Sequence, residues 1–223
     1  MHRGAALARG PRTLVSVAPG CGVLVGPATP VVLHAPRQVE LRILYVPASG
    51  AREARAVTVT PLLQALVERI VARGALDARE PRDARLIAVV LDELDALAAA
   101  PFTLALPAER RALRAAELML AHDGAPLTLN ELAACAGTSA RTLERVFARE
   151  TGCGVARWQR RARLLAAQRA LADGGSVTEG AFDAGYASPS AFIAAFRAAF
   201  GATPGRSRAQ RASVSSRSGI TDP

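Results

Sequence analysis

Between residues 128 and 201 the sequence repeats itself. Leu129 and Val177 stand 48 positions apart, as do Ala133 and Ala181, and Gly137 and Gly185. Past that glycine the offset becomes 49, pairing Leu143 with Phe192, Phe147 with Phe196 and Gly152 with Gly201. One residue is inserted in the second turn, and otherwise two copies of one unit follow each other. Each copy opens on a capping box, Thr128 to Glu131 and Ser176 to Glu179, whose side chains satisfy the orphan amides of a helix start. A short helix is predicted next, then Gly137 or Gly185 where the chain reverses, since a positive φ is cheap there. The second helix of each copy, about 139–150 and 189–200, opens on Ser139 or on Ser188-Pro189. Proline at the first helical position loses no hydrogen bond. Helix, tight turn, helix is the grammar of a helix-turn-helix, written twice.

In the first copy Leu129, Leu132, Ala136, Leu143, Val146 and Phe147 form the core stripe. Arg141, Thr142, Glu144, Arg145 and Arg149 are left on the outer face, with positions 141, 145 and 149 on one ridge. A long helix from Val155 to Ala172 joins the copies. It carries Arg157, Arg160, Arg161, Arg163 and Arg169 with no acidic residue, while Trp158, Leu164, Leu165 and Leu171 face inward. From 141 to 169 eight Arg stand against two Glu, a local +6 out of a chain total of +9. Such focusing is the footprint of a polyanion partner. In a helix-turn-helix the ridge enters the major groove, where Arg reads guanine bidentately and Glu accepts from cytosine. A rigid joining helix would hold the two second helices at a fixed separation, in successive major grooves about 34 Å apart. The competing reading is a solvated helix face on which Glu144 offsets the arginines, and the repeat speaks against it. The 28 basic residues are all Arg; that suits phosphate and guanine contacts, and a GC-rich coding bias would produce it too.

These residues carry a family resemblance. The stretch from Thr128 to Arg208 resembles the DNA-binding domain of the AraC/XylS family of bacterial transcriptional regulators. In the first half the matching residues are Gly137-Thr138-Ser139, Leu143, Arg145, Phe147 and Glu150-Thr151-Gly152. In the second they are Ala184-Gly185-Tyr186, Ser188, Phe192, Phe196, Phe200-Gly201 and Thr203-Pro204, the family's signature run. The resemblance implies seven helices, two helix-turn-helix units and binding of an asymmetric double-stranded DNA site. It places Arg141, Glu144 and Arg145 at base-contacting positions of the first unit, and Pro189, Ser190, Ile193 and Ala194 at those of the second. Family members often carry Arg where Ala194 stands. Ser188, Ser190, Ile193, Ala194 and Arg197 complete the candidate set, with Ile193 and Ala194 meeting thymine methyls and Arg197 the backbone. Most hydrogen-bonded readout is therefore expected from the first unit.

The expected fold class is α+β: a partial cupin-like β-barrel and two helices, then the all-α DNA-binding domain. The expected domains are a truncated cupin-like sensor or dimerisation region at 1–100, a linker at 101–107, the double helix-turn-helix at 108–208 and a flexible tail at 209–223. Strands are predicted at Thr13–Val17, Val23–Val25, Val31–Leu33 and Val39–Val46, from short Val/Leu runs between Gly and Pro. Leu/Val stripes predict helices at 61–73 and 84–99, packed on the residual sheet or against a second subunit. A fragment starting near Leu106 is expected to fold alone, because its core stripes look complete. His2, His34 and His122 are isolated, and no metal or cofactor is expected. Cys21, Cys135 and Cys153 form no CxxC pair, and their odd number argues against a disulfide framework, so a reducing cytoplasm is expected. No run is suited to span a membrane, since Pro and Gly interrupt Thr13 to Leu33.

The function expected is a sequence-specific DNA-binding regulator, not an enzyme. Expected partners are promoter or operator DNA, RNA polymerase for an activator, a second copy through the N-terminal helices, and a small-molecule effector. Two rivals stand beside it. One is a protein-interaction module with weakened DNA binding; the other is a Cys-based alkyl acceptor, disfavoured because Cys135 falls on a core helix face and Cys153 follows a helix-ending Gly.

Overall fold

The computed structural model describes residues 6–17, 20–35, 39–46, 54–100, 102–122 and 126–205. His2 and the expected tail at 209–223 lie outside them. The N-terminal half folds into two small antiparallel sheets. Strands β1 (Ala6–Arg9), β2 (Thr13–Val17), β4 (Val32–His34) and β6 (Leu104–Ala105) form one, in the order β4-β1-β2-β6; β3 (Cys21–Leu24) pairs with β5 (Arg55–Thr58) in the other. These sheets do not close into a barrel among the described residues. Among the described residues β4 and β6 are open edges of one sheet and no strand joins them, whereas a barrel needs closure. The run 39–46 contributes only a bridge at Glu40 rather than a strand.

Helices α1 (Pro61–Arg73) and α2 (Pro81–Asp95) pack on the β3–β5 sheet through Val57, Leu63, Ile70, Val90, Leu94 and Leu97. The Thr60 hydroxyl accepts from the Leu63 amide and donates to Glu93 Oε2 at 2.7 Å, tying the start of α1 to α2. Buried Asp83 accepts from the Asp77 amide and pairs with Arg73 at 2.7 Å. Leu62, Val71 and Val89 stay exposed on this pair. No described helix is long and apolar enough to cross a membrane.

The expected linker is a built part of the core. Leu104 and Ala105 pair with Leu14 and Thr13, and the Leu106 amide donates to the Arg12 carbonyl. Phe102, Leu104 and Leu106 are buried with Leu14 in the cluster that also holds Met119, Leu143, Phe147 and Trp158. Trp158 Nε1 donates to the Ala105 carbonyl at 2.7 Å and Arg161 to the Thr103 carbonyl at 2.8 Å. The Arg161 guanidinium also lies 4.7 Å over the Phe102 ring. A fragment starting at Leu106 would lack Phe102 and Leu104, so its core is not complete by itself.

The C-terminal half is helical: α3 (Arg110–Ala121), α4 (Leu129–Ala136), α5 (Ala140–Thr151), α6 (Val155–Ala172), α7 (Val177–Asp183) and α8 (Pro189–Phe200). Six of the seven implied helices thus fall among the described residues, and 204–205 open a further helical turn. Each repeat turns on a left-handed glycine, Gly137 with φ 70° and Gly185 with φ 79°, where a side chain would strain the backbone. The expected capping box is complete at Thr128 and Glu131. In the second repeat the Ser176 hydroxyl accepts from the Glu179 amide, but the return bond is not formed among the described residues. A second core gathers Leu164, Leu171, Ala181, Phe192 and Phe196.

Candidate nucleic-acid interface

α5 starts cleanly because Ser139 caps it: the Ser139 hydroxyl accepts from the Thr142 amide at 3.2 Å and contacts the Thr142 hydroxyl at 2.9 Å. Thr142 is therefore engaged in the cap. Leu143, Val146 and Phe147 bury one side of the helix, and the edge-on contact of Phe147 with Trp158 at 5.6 Å sets it on α6. The opposite side carries Arg141 and Arg145, both exposed and with no hydrogen bond or ion pair among the described residues.

Both acidic residues of α5 turn away from that ridge. The Glu144 carboxylate, half-buried, accepts from the Val155 amide at 3.2 Å. The Glu150 carboxylate accepts from the Ala108 and Glu109 amides, capping the approach to α3, and pairs with Arg149 at 2.7 Å. The Arg149 hydrogen bond, followed by those backbone amides, holds Glu150 down to about 2. Arg149 is thus partly neutralised by its neighbour, although its side chain is 61% exposed. Glu144 and Glu150 bond across 11 and about 42 residues, so nothing in the local sequence marks them as caps.

α6 splits its arginines. Arg157 and Arg160 are exposed; Arg161 is held by the strap at 102–106, and Arg163 donates from Nε and Nη2 to the Asp183 carbonyl at the end of α7. A guanidinium there also suits the negative end of that helix. The free charge of α6 is therefore smaller than its composition suggests.

α8 presents a different face. Ser188 caps it, accepting from the Ala191 amide at 3.3 Å, and so is occupied at the helix start. Ser190, Ala194 and Arg197 are exposed. Ile193 is half-buried against the second core, which turns much of its side chain away from the outer surface. Phe192 and Phe196 are fully buried and stack on toward Phe200. Among the described residues no His, Cys, Asp or Glu cluster could hold a metal ion. Cys135, expected on a core face, is exposed on α4; the helix turns it toward solvent between buried Ala133 and Ala136.

The family described as "Helix-turn-helix domain" matches residues 132–210. The HTH-type transcriptional regulator NimR of Escherichia coli strain K12 is 30% identical over 165 residues, 74% of this chain and 60% of that protein. The transcriptional activator NphR of a Rhodococcus species is 40% identical over 96 residues, 43% of this chain and 28% of its own length. The chain thus spans less than two thirds of the length of either relative. Among solved structures, an AraC-type DNA-binding domain protein from Chromobacterium violaceum is 31% identical, matching 46% of this chain and 92% of that one with a TM-score of 0.44.

Proposed function

We propose that the chain is a member of the AraC/XylS family of transcriptional regulators, and that it binds a specific double-stranded DNA site and regulates transcription there. One observation supports this most: α5 exposes Arg141 and Arg145 unpaired while its two carboxylates are engaged inside the protein. An all-positive ridge on the second helix of a helix-turn-helix suits the major groove, where each guanidinium spans guanine O6 and N7. Arg149, Arg157, Arg160 and Arg197 lie where they would serve the phosphate backbone. α8 adds Ser190, Ala194 and part of Ile193, a smoother face suited to shape and thymine methyl contacts. The domain arrangement in this reading is a sensor or dimerisation region up to about residue 100 ahead of the DNA-binding half. A second copy covering Leu62, Val71 and Val89, a small-molecule effector and, for an activator, RNA polymerase are the further partners it carries.

Selection from random duplexes with the full chain, followed by gel shifts across salt, tests the proposal. Arg145→Ala should cost about 1–3 kcal/mol on the selected site and relax preference at one base pair. Equal loss on every sequence would make Arg145 a phosphate contact. Affinity that ignored salt would favour a protein-interaction module instead.

A further inference from the structure

The start of α6 lacks a cap of its own. Gly154 occupies the N-cap and has no side chain to accept from the first amides of the helix, which need partners from somewhere. The Glu144 carboxylate supplies one, accepting from the Val155 amide through Oε2 at 3.2 Å. It also fills the space that a side chain at 154 would take: a Cβ there would lie 2.0 Å from Glu144 Oε1 and 3.1 Å from Cδ. The missing side chain and the long-range carboxylate are two halves of one contact, and the negative charge sits at the positive end of α6.

We propose that Glu144 is a positioning residue that sets how α5 leans on α6, and hence where Arg141 and Arg145 point, and that it does not itself read a base. This rests on the DNA-binding reading above and deepens it. Turned outward, Glu144 would place a negative charge beside Arg141 and Arg145 on the groove-facing ridge. Turned inward, it leaves that ridge entirely positive and fixes the angle of the helix that carries it.

Three variants of the full chain separate the roles: E144Q, E144A and G154S. Two readouts are taken: amide hydrogen exchange at Val155 without DNA, and binding to duplexes selected by the wild-type protein from a random pool. Glutamine keeps an acceptor, so E144Q should hold the wild-type base preferences and stay within about twofold in affinity. E144A should speed Val155 exchange and weaken binding, each by about five- to tenfold, with the preferred bases unchanged. G154S should push the carboxylate out while its own hydroxyl caps the helix. That hydroxyl reaches the Ala156 or Arg157 amide and not that of Val155, so Val155 exchange speeds and binding falls as in E144A. A changed base preference in E144Q at one position would make Glu144 a base reader and overturn the proposal. So would wild-type binding by G154S, which would reduce the contact to a helix cap, or unchanged Val155 exchange in E144A. A wild-type protein that enriches no duplex would remove the DNA-binding reading and the aiming role together, while Val155 exchange would still report whether the cap exists.

Discussion

The two repeats share a backbone plan and divide its uses. Both turn on a left-handed glycine and both cap the second helix with serine. The first sits in a cluster of 18 buried residues that reaches back to Leu14, Phe102, Leu104 and Leu106. The second relies on seven, dominated by Phe192 and Phe196. The first exposes two unpaired arginines on its second helix; the second exposes Ser190 and Ala194 at the equivalent positions and one arginine, Arg197, further along. The deeply anchored unit is the one that exposes unpaired guanidinium groups, which on the proposed DNA-binding reading suits directional hydrogen bonding. Readout by a bidentate arginine needs its helix held firmly, because a small misalignment forfeits both bonds. A smoother, apolar face tolerates a thinner core.

Phe200 joins the two regions. It packs on both cores, with its ring 4.7 Å from Phe102 and 4.5 Å from Phe196. Phe102→Ala should therefore loosen both repeats, costing about 3–5 kcal/mol in urea unfolding of the full chain. A loss below about 1 kcal/mol would show that the strap merely rests on the core. Cap removal probes the repeats separately: Thr128→Ala, which breaks a reciprocal box, should cost about 1–2 kcal/mol, and Ser176→Ala, which breaks a single bond, about 0.5–1 kcal/mol. Equal losses would erase the difference in anchoring.

Charge separates the two repeats as well. Ala194→Arg should tighten DNA binding and steepen its salt dependence by about one unit of slope, since it adds one phosphate contact at an exposed position. Unfolding in urea should be unchanged. The smallest effect is in acid. Glu150 sits at about 2 against an ordinary 4.5, so its contribution to stability is complete above about pH 4.5 and is lost as pH falls toward 2. The urea midpoint should drop across that window in the wild type and less in Glu150→Gln. Parallel curves would mean that the α3 anchor contributes nothing.

The helical half was legible because its signals are local. The capping residues, the turn glycines and the i, i+4 stripes placed α5 within a residue of its observed bounds and α6 from 155 to 172 as found. What stayed hidden acts at long range or has no period. β6 is two residues long, between Pro101 and Pro107, and its pairing with β2 lies some ninety positions away. β1 and β5, at four residues each, are too short to show alternation. Glu144 reads as a base contact and Glu150 as part of a family-matching run until the folded chain brings helix starts to them, and Arg161 and Arg163 look like free charge until carbonyls do the same. The candidate ridge was visible; which of its members remain available for a partner was not.

On the proposed DNA-binding reading, directional readout is concentrated in the first repeat. A base-by-base substitution scan across a site selected by the full-length protein, read by gel shift at fixed salt, tests it most directly. One half-site, contacted through Arg141 and Arg145, is expected to lose about 1–3 kcal/mol on each single change, and the second to tolerate most changes apart from a modest preference for thymine. Equal sensitivity in the two halves would contradict it.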